Sequence, residues 1–222
     1  MQDALLVLET SCACSSAAVW CENELLWQME WEAERNHSSA IFEALKPLPK
    51  VLEGQVLAEI VVGSGPGAYG NIRVALAVAD GLSLVYGSRV VAFPSWNGLG
   101  IESENAFVMS DARRGGWTWG KLVNGILSEP PKVVSEEQVR ANITKCQENG
   151  EPIYSTETAE RLDIKGIKGV ITVCPSAGAL GCGWLSLDKG RQEEILNAPL
   201  EPLYVRAPHI TSSKRPAWAV KA

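Results

Sequence analysis

The chain has 222 residues, 46% of them hydrophobic and 21% charged, and a formal net charge of −6. That is enough apolar material for one large domain or two smaller ones packed together. An acidic balance with no run of Lys or Arg excludes a non-specific nucleic-acid binder that works through a broad basic face.

The start, MQDALLVLE, reads as a short strand with Ala4 to Glu9 as its apolar run, not as a positively charged leader. No segment has the length and hydropathy of a transmembrane span. The small residues of TSCACS turn the chain. SAAVWC and ELLWQMEW then supply two more strands, with Glu22-Asn23 as the hairpin bend. In RNHSSAIFEALKPLPKVL, Ala40, Ile41, Ala44 and Leu45 share one helical face, with Asn36 or Ser38 as the cap. Pro47 and Pro49 stop this helix or begin a new turn. LAEIVVG is a strand, a glycine loop follows, and a long helix runs from there to near Gly87. SRVVAFP is a further strand. Strands succeeded by alternating helices and strands predict an α/β fold with a mixed sheet covered by helices.

GLGIESEN, Gly98 to Asn105, marks a boundary, so the expected units are residues 1–100 and 101–222. The second unit opens with a strand, a polar turn and another strand in AFVMSDARRGGWTWGKLV. SEEQVRANITKC is a helix capped by Ser135, with Glu137 or Gln138 to complete the cap. GVITVCP is a strand, SAGALGCGWLSLDKG a glycine-interrupted helix, and LEPLYVRAP a last extended piece. The tail from His209 shows no periodicity. Any duplication between the two halves is one of fold, because no residue-level repeat links them.

The six cysteines are expected as free thiols in a reducing cytoplasm. Cys12-x-Cys14 lacks the second close pair that a zinc site needs. Cys174 stands just before a helix start, a setting that can lower a thiol pKa. The eight tryptophans are divided between core and a binding face.

The stretch VVGSGPGAYGNIR carries the strongest local signal. A phosphate loop of the Walker type needs Lys followed by Ser or Thr after its glycines, and neither is present. Gly65, Gly67 and Gly70 match the spacing of a dinucleotide fingerprint. Pro66, however, removes an amide donor, and the following strand ends without the acidic residue that would hold a ribose. Two readings stay open at this level: an anion site at a helix start, and a tight turn in which glycine supplies unusual backbone angles.

LLVLETSCACSSAAV, ERNHSSAIFEAL, IVVGSGPGAYGNIRVALAVADGL, SDARRGGWTWG and EPLYVR occur in this order. Together they resemble the bacterial TsaB (YeaZ) family over Leu5 to Arg206. The resemblance implies an actin-like ATPase fold of two tandem ribonuclease-H-like lobes. It implies a non-catalytic subunit in the formation of threonylcarbamoyladenosine at position 37 of tRNA. Its implied partners are a TsaD-like catalytic paralogue, a TsaE-like ATPase and, when alone, a second copy. Contact with tRNA is expected only within that complex, with no cofactor and no membrane. The catalytic paralogue carries two histidines spaced four apart; here the matching positions are His37 and Ile41, and the only other histidine is His209.

The departures fall on the nucleotide loops. The family's D-T-S is here Glu9-Thr10-Ser11, which keeps a charge and adds a methylene. Its G-P-G-S-F-T-G-L-R is here Gly65 to Arg73 with Ala68 and Gly70 in place of the two hydroxyls. Both losses remove donors from the face that phosphates would touch. Asp111-Ala112-Arg113 is retained, and Trp117 or Trp119 matches the aromatic that follows. The loops at Glu9, Thr10, Ser11, Gly65, Gly67, Gly70 and Asp111 are therefore read as a degenerate nucleotide site. An active actin-fold kinase is the lesser alternative, with Glu9 and Asp111 its only candidates for magnesium. A standalone interaction module is the other.

In the family, the helix after the histidine and the helix after the glycine loop form a four-helix contact. Here these are Asn36 to Lys46 and Asn71 to Val85. Ala75, Ala79 and Ser83 recur every four residues, and small side chains let a second helix approach closely. They are predicted to face outward as a docking stripe, flanked by Ile72 and Leu76, with His37 and Ile41 on the neighbouring helix.

Overall fold

The computed structural model describes residues 2–32 and 37–206, with only the backbone of His37 and Ser38. The tail with His209 and the expected Asn36 cap lie outside the described residues, as does the Ser38 side chain. The first strands are β1 (Gln2–Glu9), β2 (Cys14–Cys21) and β3 (Glu24–Glu32). The β2–β3 bend falls on Glu22 and Asn23, both at positive φ, 48° and 67°, as a tight hairpin requires. Helix α1 (His37–Leu45) ends before Pro47, and α2 (Leu48–Val51) begins directly after it. Strand β4 (Gln55–Gly63) leads through the glycine loop into α3 (Tyr69–Tyr86), which Gly87 closes in the left-handed conformation. Strand β5 (Arg89–Phe93) and a short 3-10 turn at Ser95–Gly98 follow.

The order of the first sheet is β3-β2-β1-β4-β5. β1 to β3 pair antiparallel, while β4 and β5 extend the sheet in parallel from β1. β1 is buried from Ala4 to Glu9 because helices cover both of its faces. Leu6 and Leu8 pack with Ile41, Leu45, Ile72 and Leu76 on one side. Leu5 and Val7 pack on the other side with residues far along the chain.

The second sheet repeats this plan. β6 (Asn105–Asp111) pairs antiparallel with β7 (Gly116–Val123), which pairs with both β8 (Ile126–Leu127) and β9 (Lys132–Ser135). After α4 (Glu136–Glu148) the chain adds β10 (Ile153–Ser155) parallel to β6. After α5 (Ala159–Ile164) it adds β11 (Ile171–Thr172) parallel to β10. The first strand again lies between an antiparallel branch and a parallel branch, so the two lobes share the ribonuclease-H-like order without sharing residues. α4 begins with the expected Ser135, which accepts from the Gln138 amide while the Gln138 side chain accepts from the Ser135 amide.

The expected boundary at residue 100 falls between β5 and β6. The chain beyond residue 176 does not remain with the second sheet. Helix α6 (Ala177–Leu185) lays Ala177, Leu180 and Trp184 on the free face of the first sheet, beside Leu5, Val7, Val61 and Phe93. Helix α7 (Lys189–Leu196) joins it there, with Glu193 paired to Arg89 at 2.8 Å. The piece 201–206, expected as extended, pairs with neither sheet.

Candidate functional site

Between the lobes lies a cleft of 670 Å³. The β1–β2 loop contributes Ser11 and Cys12, and the glycine loop contributes Gly67 and Tyr69. The second lobe contributes Asp111 and Arg161. Of the loop residues expected in a nucleotide site, Ser11, Gly67 and Asp111 are thus brought to one cavity.

Glu9 is not. Its side chain is fully buried beneath the cleft. Oε1 accepts from the Ser11 amide at 2.6 Å, while Oε2 has no hydrogen-bond partner. The carboxyl lies against Gly63, where a Cβ would stand 2.7 Å from both Glu9 Cδ and Ser95 Oγ. Burial raises the Glu9 pKa, outweighing the hydrogen bonds that Ser11 supplies. Asp111 is committed in a different way. It accepts from the Arg113 amide at 2.6 Å and is ion-paired with Arg161. Arg161 also reaches Glu157 at 3.2 Å. Burial pushes the Asp111 carboxyl up, but the Arg113 amide and the Arg161 guanidinium together hold it below the usual range. The kinase alternative needs two carboxylates facing the cleft and free to hold magnesium; Glu9 is buried away from it and Asp111 is ion-paired.

The Glu9 geometry has a measurable result. Its folded pKa lies above the unfolded value, so the folded chain holds the proton more tightly. Stability then falls as pH rises from 4.5 through the folded pKa, and levels off above it, with a slope of at most about 1.4 kcal/mol per pH unit. Glu9→Gln cannot ionise. Its melting temperature should gain on that of wild type as pH is raised above this value. Parallel melting curves across pH would refute the assignment.

The glycine loop is shaped by its neighbours. Gly65 has φ 102°, in the region that side chains avoid. Its amide donates to Ser95 Oγ at 2.9 Å. A Cβ at Gly67 would lie 2.6 Å from Ser11 Cβ, and the Ala68 amide donates to Ser11 O at 2.6 Å. Pro66 has no amide hydrogen to give. The donors at positions 65 and 68 are thus spent on the protein. Gly70 opens α3 with nothing near its Cβ position.

A short strap, Pro202 to Arg206, crosses the same cleft. The Leu203 amide donates to Ser64 O at 2.8 Å, and the hydroxyls of Tyr204 and Tyr69 lie 2.6 Å apart. Arg206 Nη1 donates to Arg113 O at 3.1 Å. This segment was part of the sequence resemblance, but nothing in its residue pattern indicated that it ties one lobe to the other.

The docking residues need correction. Ile72, Ala75, Leu76 and Ala79 lie in the core between α3 and the first sheet, and Ile41 joins them from α1. Ala75 and Ala79 are 0% exposed. Their spacing of four lets α3 sit close on its own sheet. Ser83 is half-buried and donates to Asp80 O at 2.7 Å. Ile41 is buried in this core, at 2% exposure. Among the described residues no group of three or more His, Cys, Asp or Glu side chains is placed to hold a metal ion. No described helix is long and apolar enough to cross a membrane.

The outer side of the same helices carries an apolar groove of 540 Å³ instead. Phe42 and Pro49 form one wall; Val78, Gly81, Leu82 and Tyr86 form the other. Phe42 is 59% exposed, and Leu84 and Val85 beyond the groove are 84% and 76% exposed. A second small pair, Ala77 and Gly81, lies on this outer face. Its spacing of four was open to view in the sequence alongside that of Ala75 and Ala79.

A family model described as TsaD: tRNA N6-adenosine threonylcarbamoyltransferase matches residues 31–126. No curated protein matches the chain. Among solved structures, YeaZ from Pseudomonas aeruginosa is similar at a TM-score of 0.69 and 21% identity, over 91% of this chain and 99% of its own. An uncharacterised protein with similarity to peptidase YeaZ, from Pseudomonas aeruginosa, is similar at a TM-score of 0.68 and 22% identity, over 92% of this chain and 100% of its own. Over the 91% of the chain shared with YeaZ the fold is therefore that of YeaZ, an actin-like arrangement of two ribonuclease-H-like lobes.

Proposed function

We propose that the chain acts as a TsaB-type subunit, a non-catalytic partner in the threonylcarbamoylation of tRNA. It docks a TsaD-like catalytic paralogue through the groove between α1–α2 and α3. The observation that carries this reading is the groove itself, on a fold shared with YeaZ over its whole length. Its walls come from α1, α2 and α3, and apart from Lys46 and the Tyr86 hydroxyl its lining is apolar; exposed apolar patches of this kind favour burial against a partner. The small outer pair, Ala77 and Gly81, leaves room for a partner helix to approach.

The cleft supports a supporting role over a catalytic one. Glu9 is buried, Asp111 is paired, and the strap crosses between the lobes. A TsaE-like ATPase completes the proposed assembly, tRNA is met only within it, and the compartment is the cytoplasm. In the absence of the paralogue the same groove would receive a second copy of this chain.

Gly81→Arg tests the reading. A Cβ at Gly81 meets nothing within 4 Å, so the monomer should keep its melting temperature. A partner seated in the groove would have to bury an unpaired charge. Affinity for the paralogue, measured by titration calorimetry, should fall at least about tenfold, roughly 1.4 kcal/mol. Sedimentation of the chain alone reports the same change for self-association. Unaltered affinity for the paralogue in a folded Gly81→Arg variant would remove the groove from the interface.

A further inference from the structure

The arginines of the described residues fall into two sets. Arg89, Arg140, Arg161 and Arg191 are each ion-paired to an aspartate or glutamate. Arg73, Arg113, Arg114 and Arg206 are exposed and have no ion pair among the described residues. These four lie along one ridge at the mouth of the cleft. Arg73 sits over the Tyr69 ring, 5.5 Å from its centre. The Tyr69 and Tyr204 rings are 5.3 Å apart, and the two residues are 43% and 46% exposed. Two positions after Tyr204, Arg206 donates to Arg113 O, and Arg114 comes next along the turn. The ridge thus runs from the start of α3 in the first lobe, over the strap, to the β6–β7 turn of the second.

The turn itself is unusual in what it carries. Arg113 and Arg114 have φ 63° and 53°, a left-handed conformation that glycine and asparagine adopt more readily. It is held firmly. The Arg113 amide donates to Asp111, and the Arg113 carbonyl accepts from the Gly116 amide at 3.2 Å as well as from Arg206. Nothing in the shape of the hairpin calls for arginine, so two charges kept at such positions point to a use outside folding. Like charges gathered together also repel one another. Of the carboxylates lining the cleft, Asp111 and Glu157 both turn to Arg161 and leave the ridge uncompensated. Glu201, exposed just ahead of the strap, is the acidic residue nearest to it in sequence.

We propose that this ridge is an RNA-contact surface, with the four arginines on backbone phosphates and the Tyr69–Tyr204 pair against an unpaired base. Guanidinium groups grip phosphate oxygens through two parallel hydrogen bonds and stay charged throughout. Exposed tyrosine rings beside arginines suit a base that has left its stack, as in the loops of a folded RNA. An acidic protein segment would use the charges and leave the rings idle, so the pairing of the two favours RNA. The choice of tRNA as that RNA rests on the proposed function; the surface does not. Four arginines in a chain of net charge −6 make a small patch, one that adds contacts within an assembly and binds weakly by itself.

The test is fluorescence anisotropy of a labelled, unmodified tRNA transcript titrated with the full-length chain over a series of low salt concentrations. The logarithm of the association constant should fall against the logarithm of salt with a slope of about −3, from roughly 0.7–0.9 for each phosphate met. Arg73→Ala and Arg114→Ala should each flatten that slope by about 1 and keep the wild-type melting temperature, since both side chains are exposed. Arg191→Ala, ion-paired on α7, should leave the slope unchanged. Tyr204→Ala should weaken binding about fivefold or more at an unaltered slope, and Tyr204→Phe should restore it. No binding at the lowest salt overturns the proposal. So does a slope that both arginine variants leave intact, a Tyr204→Ala chain that binds as wild type, or equal affinity for polyglutamate of matching charge. The groove is read separately, through Gly81→Arg and the paralogue. Loss of the groove with this slope intact would remove the subunit reading and keep the RNA surface; the reverse result would remove the surface alone.

Discussion

Ala79→Arg is expected to abolish the cooperative thermal transition of this protein or leave it insoluble. Ala79 is completely buried between α3 and the first sheet, in the cluster that holds Leu6, Ile60 and Val62. An arginine there overfills a packed core, at about 1–3 kcal/mol. It also buries a charge without a partner, and an uncompensated buried charge costs about 3–5 kcal/mol. The sum is comparable to the whole stability of an ordinary domain, about 5–15 kcal/mol. Gly81→Arg, half a turn further on and facing outward, is the internal control. It replaces the weakest non-proline helix former, which alone favours the helix by up to about 1 kcal/mol. Circular-dichroism melts of the two variants side by side decide the orientation of α3. A folded Ala79→Arg protein with the wild-type melting temperature would mean that the helix face is assigned the wrong way round.

Gly67→Ala should have the next largest effect. The residue has no strained backbone angle to protect; the space is what is missing. A methyl group would stand 2.6 Å from Ser11 Cβ and 2.9 Å from the Ser11 carbonyl carbon. Backbone atoms cannot swing aside as a flexible side chain can, so the β1–β2 loop and the glycine loop must part. That also weakens the hydrogen bond from the Ala68 amide to Ser11 O. A cost of about 1–3 kcal/mol corresponds to a fall of roughly 3–10 °C for a chain of this size. Gly70→Ala, at an open position in the first turn of α3, should melt as wild type or slightly higher. Equal melting temperatures for the two alanine variants would show that the two loops do not need their close approach.

The answer to the glycine loop thus differs from one glycine to the next, and it marks how far sequence reading carries. The spacing of Gly65, Gly67 and Gly70 drew attention to the right loop. Position 65 is a matter of local backbone angle, which composition hints at. Position 67 depends on Ser11, fifty-six residues earlier, and only the folded chain brings the two together. Elements set by near neighbours were legible for the same reason. The Glu22-Asn23 bend, the Ser135 cap and the Gly87 stop each need only a few adjacent residues. The face of α3 was misread because a four-residue spacing of small side chains fits a close sheet as well as it fits a close partner helix. The Ala75–Ala79 pair and the Ala77–Gly81 pair are equivalent on paper, and burial alone separates them. Arg161 and Tyr204 had no local signature, since Arg161 meets Asp111 from a distant part of its own lobe and Tyr204 meets Tyr69 from the far end of the described chain.

The return of α6 and α7 to the first sheet has a consequence for the order in which the chain can fold. Leu5, Val7, Val61 and Phe93 are synthesised early, yet the residues that cover them, Ala177, Leu180 and Trp184, come last. During synthesis the first sheet can close its α3 side but must wait, with the other face bare, until nearly two hundred residues have emerged. Contacts this distant in sequence slow the search for the native state, and a waiting apolar face invites aggregation. The two lobes are therefore not independent folding units in the direction of translation. The first begins the process and the last part of the chain completes it.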